Sequence, residues 1–359
     1  MDYNTLIPTA EAIPAPAWLF LVLNVLLFML HILLINVLLG GSLVTLFSRL
    51  KRKDDSPENR LHGALASKIP TTFALGVNMG IAPLLFIQVI YGNLFYSSSV
   101  LMAVYWILII PLLIIAYYGA YIHIRKYSTA SVLSKTAIWI TTLILLYIAF
   151  IFVNNLTLMN QPEKWTAYFD NRGGSILNWA EPTLIPRYLH FIAPSVAIAG
   201  LFMALVWNSR QKKGVQGAEV KVKSSLLIFG YATIAQIIVG LWFLLAIPRD
   251  FMLQFMGGNI IATLIFLLGF LSGIGAVATA FANKLRPTLI MLLVTVMSMV
   301  VTRAFLRDMY LDGKFSLGSL QMDPQYGVMI LFFIILIIGL LAVGYMIKAG
   351  FTSKEGRTA

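Results

Sequence analysis

Residues 17–47 read AWLFLVLNVLLFMLHILLINVLLGGSLVTLF, a run without a single Asp, Glu, Lys or Arg. At about 1.5 Å per helical residue it outspans the roughly 30 Å hydrocarbon layer of a bilayer. In hydrocarbon each backbone N–H and C=O must be satisfied within its own segment, so a run of this kind is a membrane-spanning helix. Similar segments follow at 70–93, 99–121, 134–157, 187–208, 225–247, 258–281, 287–303 and 326–349, the eighth being short. The chain is therefore expected to be an all-α integral membrane protein, one nine-transmembrane-helix bundle over residues 1–359.

Composition agrees. Of 359 residues, 59% are hydrophobic and 11% charged, against roughly 25% charged in an average soluble domain; mean hydropathy is +0.86. The absence of cysteine excludes disulfides, iron–sulfur clusters, thiolate metal sites, covalent haem attachment and thiol catalysis. Residues 1–18 contain Asp2, Glu11, Pro14 and Pro16 and no Lys or Arg, so they read as a short tail before a retained first span and not as a cleavable signal.

The net charge of +12 has a topological origin. Loops 48–69, 122–135, 209–224, 282–287 and 348–359 hold 19 of the 26 Lys and Arg residues, and the alternate set holds 7. The positive-inside rule puts the first set in the cytoplasm, the N-terminus outside and the C-terminus inside. Nucleic acid is not implied. No charged residue is expected deep within a span, Arg187, Arg303 and Arg307 falling at span ends, and no internal repeat is visible; both features disfavour a transporter. Two connections on the outer side are long, 159–187 and 304–327.

Four histidines occur, and His31 and His190 fall inside spans. An imidazole in hydrocarbon needs partners for both nitrogens. Haem iron satisfies one, and a carbonyl or side chain the other. After His190 the small residues Ala193, Ala197, Gly200 and Ala204 recur at helical spacing, a low-relief stripe suited to a flat macrocycle or to close helix packing. His190 is expected near the outer end of its span and His31 roughly 20 Å into the first, so the two are not expected to share one iron. His62 and His123 fall at cytoplasmic span ends, where solvated or interfacial roles are expected. Asn78, Asn154 and Asn155 are buried-polar candidates for helix–helix hydrogen bonds. Phosphate loops, His-Glu-x-x-His and Ser/His/Asp sets are absent.

Several of these stretches resemble subunit I of the cytochrome bd-type quinol oxidases. Leu30-His31-Ile32-Leu33 running to Leu39-Gly40-Gly41-Ser42 is similar to that family's first helix, Phe73-Ala74-Leu75-Gly76-Val77 to its second, Val153-Asn154-Asn155 to the end of its fourth and Tyr188-Leu189-His190 to its fifth. The resemblance implies haem b with His31 and His190 as axial ligands, and quinol as electron donor. The chain departs from the family at several points. Ile81-Ala82-Pro83-Leu84-Leu85 lacks the glutamate after the second motif, and the quinol loop shrinks to about 248–257. The seventh span has no methionine for a second haem ligand, although Met256 stands just before it. Arg307-Asp308-Met309-Tyr310-Leu311-Asp312 replaces the Gly-Arg-Gln-Pro-Trp stretch and its glutamate, leaving Arg307 as a remnant and Asp308 or Asp312 as replacement acids.

With those acids missing, the expectation is a subunit passing electrons between membrane quinol and an extracytoplasmic redox protein such as a c-type cytochrome. It would lie in the cytoplasmic (inner) membrane, in contact with the quinone pool, with room for a second membrane subunit. The alternatives are a cofactor-free anchor for a redox complex and an active terminal oxidase with relocated acids.

Overall fold

The computed structural model describes residues 3–51, 63–127 and 131–355; His62 lies outside them. The described part is 83% helical and contains no strand. Among the described residues nine helices are long and apolar enough to cross a membrane: α1 (Ala17–Lys51), α2 (Ile69–Leu101), α3 (Ala103–Arg125, interrupted at Leu108), α4 (Val132–Asn160), α5 (Leu184–Gln211), α6 (Ala218–Ala246), α7 (Ile260–Phe281), α8 (Leu285–Leu311) and α9 (Tyr326–Glu355). This is a multi-pass membrane protein. The connections at 161–183, 247–259 and 312–325 gather at one end, here the loop-rich end; those at 212–217 and 282–284 lie at the other, basic end.

Local chemistry explains most boundaries. Ser131 begins α4 by accepting from the Ser134 N–H, and Asn259 begins α7 by accepting from Ala262 N–H, each satisfying a donor that the first helical turn leaves unpaired. α2 runs through 94–98, where a loop was expected, and the third span starts correspondingly late. Ser97, Ser98 and Ser99 donate back to the carbonyls of Asn93 and Phe95, so a serine cluster that reads as a turn is absorbed within the helix.

A second departure affects function. The eighth span does not stop at Arg303; α8 continues to Leu311, with Leu306, Tyr310 and Leu311 buried. Their spacing gives the last two turns an apolar face, so Arg303 and Arg307 belong to the bundle and not to a loop.

The helices pack as neighbours in space. α5 against α6, α1 against α2, α7 against α8 and α1 against α5 make the broadest contacts. Gly40 on α1 lies against the α5 backbone so closely that a Cβ there would fall 1.8 Å from the Ser195 carbonyl oxygen. Gly200 on α5 meets α6, a Cβ standing 2.9 Å from the Phe229 nitrogen. Asn24 donates to the Pro83 carbonyl at 2.8 Å, pinning α1 to α2. α8, by contrast, touches α1 and α5 only sparsely, and α1, α5, α6, α7 and α8 enclose a cavity. α9 stands apart, with no residue of its span buried.

Candidate functional site: an arginine-lined cavity at His190

The cavity has a volume of about 260 Å³ and is walled mainly by apolar side chains, among them Phe191, Ile198, Phe243, Phe266, Val296 and Leu306. It is close to the lower size of ordinary ligand pockets, roughly 300 Å³. His190 and Arg187 of α5, Gln236 and Gly240 of α6, and Arg303 and Arg307 of α8 reach its wall, together with Asn36 of α1 and Asn160 of α4.

His190 rests on α6. Gln236 Nε2 stands 2.9 Å from His190 Nδ1, 3.1 Å from Nε2 and 3.1 Å from the His190 carbonyl oxygen. Gln236 Oε1 is buried with no hydrogen-bond partner. One turn further along α6, a Cβ at position 240 would come 2.9 Å from His190 Cε1, so only glycine leaves the ring its place. Phe243 tilts beside the imidazole at 5.9 Å between ring centres. The small-residue stripe after His190 is divided: Ala197 lines the cavity, whereas Gly200 and Ala204 are consumed in the α5–α6 contact.

The arginines give the cavity its charge. Arg187 and Arg307 are 8% and 5% exposed. No described carboxylate lies within 4.0 Å of any of the three guanidinium groups. Glu181, an acid that acts electrostatically on Arg187, is already held by Gln161 Nε2 at 2.6 Å and Thr183 Oγ1 at 2.6 Å. The partners are a hydroxyl and aromatic rings: Arg187 Nη2 donates to Thr183 Oγ1 at 3.5 Å and stands 5.1 Å from the Phe243 ring centre, Arg303 lies 4.3 Å from Phe28 and Arg307 4.7 Å from Tyr91. Each such contact contributes about 0.5–2 kcal/mol, against several kcal/mol for removing a guanidinium from water. Arg187 Nε and Arg307 Nη1 remain buried without acceptors. The deficit is that of an anion-binding wall.

His31 does not reach this cavity. Its Nδ1 donates to the Gly76 carbonyl at 2.9 Å, and its ring lies on Gly80, where a Cβ would be 2.6 Å from Cε1. Because a carbonyl only accepts, this bond places the proton on Nδ1 and leaves the lone pair on Nε2. Phe28, Ile32 and Asn36, on another face of α1, line the cavity. The structure therefore brings His190 and the arginines together and places His31 against α2.

The remaining candidates separate clearly. His123 is not interfacial: it is fully buried, with Nδ1 3.0 Å from the Ser134 carbonyl. Met256 is 62% exposed and lies outside the cavity. Asp308 and Asp312 are exposed and do not line it either. Asn78 bonds back to Ala74. Asn155 donates to Ser99, and Asn154 accepts from the Asn178 N–H at 3.0 Å. No family model matches the chain, and no curated protein is significantly similar to it.

Gln236, Gly240 and Arg303 are the functional candidates that reading the sequence missed or misplaced. Gln236 carried one signal, being a primary amide in the middle of an apolar span. Gly240 carried none, since a glycine in a membrane helix ordinarily marks packing.

The residues present suit a haem. The His190 imidazole borders the cavity with the Gln236 amide beside its nitrogens, and unsatisfied guanidinium donors face the same apolar space for acidic substituents. The two open guanidinium nitrogens, Arg187 Nε and Arg307 Nη1, and the bare Gly240 are what a planar dicarboxylate with a metal centre would use.

Proposed function

We propose that the protein is a haem-b-binding electron-transfer subunit that passes electrons between membrane quinol and an extracytoplasmic redox partner. The reading is carried by one observation: His190 and three arginines with no described carboxylate within 4.0 Å face the same apolar cavity within a membrane bundle. His190 would hold the iron through one ring nitrogen; the N–H of the other needs an acceptor, and the Gln236 amide supplies one by turning Oε1, which is otherwise without a partner, to the ring. Arg187, Arg303 and Arg307 would hold the propionates through charge-assisted hydrogen bonds. Bound there, a haem supplies reversible one-electron chemistry. Phe191, Phe243 and Leu306 exclude water from that space, and Gly240 keeps the imidazole seated.

The resemblance of the first five spans to the cytochrome bd-type subunit supports the same cofactor and donor. No Asp or Glu lines the cavity among the described residues, which favours electron transfer over oxygen reduction, since the latter consumes protons at the haem. The N-terminus outside and the C-terminus in the cytoplasm follow from the distribution of basic loops, and a cytoplasmic membrane location goes with them. The loop-rich end is then the outer face. Its two long connections are joined there by Lys314 and Glu163 at 2.8 Å, giving a partner protein one continuous surface. His31, with its lone pair fixed on Nε2, is the ligand for a second haem in this proposal.

The cofactor-free anchor also has an observation in its favour, since Gln236 stands within hydrogen-bond distance of both His190 nitrogens. A reduced-minus-oxidised visible spectrum with haem extraction, on protein expressed with ample haem, decides between them. b-type bands lost in His190→Ala are expected. A folded, colourless protein would overturn the proposal and leave the anchor reading.

A further inference from the structure

We propose that α2 carries a docking face for a second copy of this chain, the two α2 helices pairing side by side in the membrane about a two-fold axis. The inference does not depend on what the cavity holds. Gly76, Pro83, Ile87 and Ile90 turn α2 toward its own bundle. On the opposite side Ile81 and Leu85 are 51% and 53% exposed, and one turn nearer the basic end Asn78 is exposed as well. Asn78 lies nine residues beyond Ile69, where α2 begins. That is about 13 Å of helix rise, well inside a hydrocarbon layer roughly 30 Å thick.

An amide at that depth is unfavourable unless it is hydrogen-bonded. Asn78 Nδ2 donates to the Ala74 carbonyl of its own helix at 2.9 Å, which uses one of its two N–H bonds; the other, and Oδ1, have no partner among the described residues. Gln88, half-buried further along α2, has none either. Both amides belong to one regular seam. Thr71, Asn78, Leu85 and Gly92 recur every seven residues, and Ala74, Ile81 and Gln88 follow the first three of them at a spacing of three. These are the a and d positions of a coiled coil. All seven are exposed or half-buried, and a Cβ at Gly92 would meet only Tyr96 of the same helix, 3.5 Å away, so no other helix of this chain covers the seam at that point.

The seam is complementary to itself. Two copies insert into the membrane the same way round, so helices related by a two-fold axis along the membrane normal run parallel and bring equal positions to equal depth. Asn78 then meets its own counterpart. A primary amide both donates and accepts, so the pair satisfies itself, and an asparagine at an a position sets register and strand number in parallel coiled coils. Gln88 meets its counterpart in the same way. No residue of the seam is charged, so nothing repels the duplicate, and Ala74 and Ala82, one turn to either side of Asn78, let the two backbones approach. Lipid tails would leave the same amide groups without acceptors or donors.

The chain has no cysteine, so single introduced cysteines give a clean cross-linking test on the full chain in native membranes. With copper phenanthroline as oxidant, Ile81→Cys and Leu85→Cys are each expected to form a disulfide-linked homodimer of twice 39.9 kDa, since facing a and d positions of a parallel pair fall within disulfide reach. Leu264→Cys, 61% exposed on α7, is the control and is expected to remain monomeric. In detergent, sedimentation equilibrium of Asn78→Leu is expected to show a dimer weaker than wild type by about 3–30-fold, the effect of losing an interhelical hydrogen bond within a membrane, with helix content unchanged. No homodimer from either α2 cysteine, or cross-linking of both only to a different protein, would overturn the proposal. Equal cross-linking at Leu264 would reduce the dimer to random collision, and an Asn78→Leu protein that associates as tightly as wild type would remove the amide from the interface; either result also overturns it. None of these readouts involves haem, so their failure and that of the electron-transfer reading are distinct.

Discussion

Gly240 lies directly beneath the His190 imidazole, so that a methyl group at position 240 would sit 2.9 Å from Cε1 of the ring. The contact fixes the position of the ring in the cavity, and it makes glycine a determinant of ligand geometry without any chemistry of its own.

Gly240→Ala is therefore expected to separate folding from cofactor retention. Alanine favours a helix interior over glycine by about 1 kcal/mol, and the colliding atom belongs to a side chain that can shift by a few tenths of an ångström. Helix content and melting temperature should change little, while the haem-to-protein ratio after purification drops several-fold. An unchanged ratio would remove Gly240 from the site.

Gly40→Ala should behave in the opposite way. Its added carbon would meet the Ser195 carbonyl at 1.8 Å, and backbone cannot rotate aside. Separating α1 from α5 is expected to cost more than about 3 kcal/mol, beyond the usual range for overpacking. Thermal unfolding in detergent is the measurement, with Gly41→Ala, whose nearest neighbour is a Leu65 methyl at 3.6 Å, as the mild comparison.

Neutralising Arg307 should change stability with a sign that depends on the ligand. Without an anion, Arg307 is a buried charge over the Tyr91 ring with its Nη1 unsatisfied, and replacing it by an apolar side chain of similar size removes a desolvation penalty of several kcal/mol. Arg307→Met is expected to melt at or above the wild-type temperature when haem is withheld, and below it when haem is present. Melting curves under both conditions check this; a variant that is less stable in both would make Arg307 purely structural.

Gln236→Leu removes the amide that touches both His190 nitrogens and the His190 carbonyl. Loss of an orienting partner commonly weakens metal retention about 10–100-fold. Haem transfer to an acceptor such as apomyoglobin should therefore speed up by a similar factor in the variant. A haem-free scaffold would show no such transfer in either protein.

Nine spans were legible in the sequence because their cause is local. An apolar run must satisfy its own backbone, and length with hydropathy is enough to find it. α1 starts at the expected Ala17 for this reason and runs one turn past 47, and α4 and α5 extend past their expected limits only by capping turns. What each helix turns toward was not legible, because these helices are apolar all round and show no polar stripe from which a buried face can be read. Thus His31 and Ile32 are sequence neighbours, yet one rests on α2 and the other borders the cavity. Arg303 marks the end of an apolar run in the sequence, but the buried Leu306 and Tyr310 carry the helix beyond it and draw the guanidinium into the bundle. The chain by itself determined that there would be a membrane bundle containing two histidines, because hydrophobicity and hydrogen bonding act along the segment. Helix rotation and register depend on contacts between segments far apart in the chain, and so tertiary structure alone decided that His190 and three arginines would share one cavity.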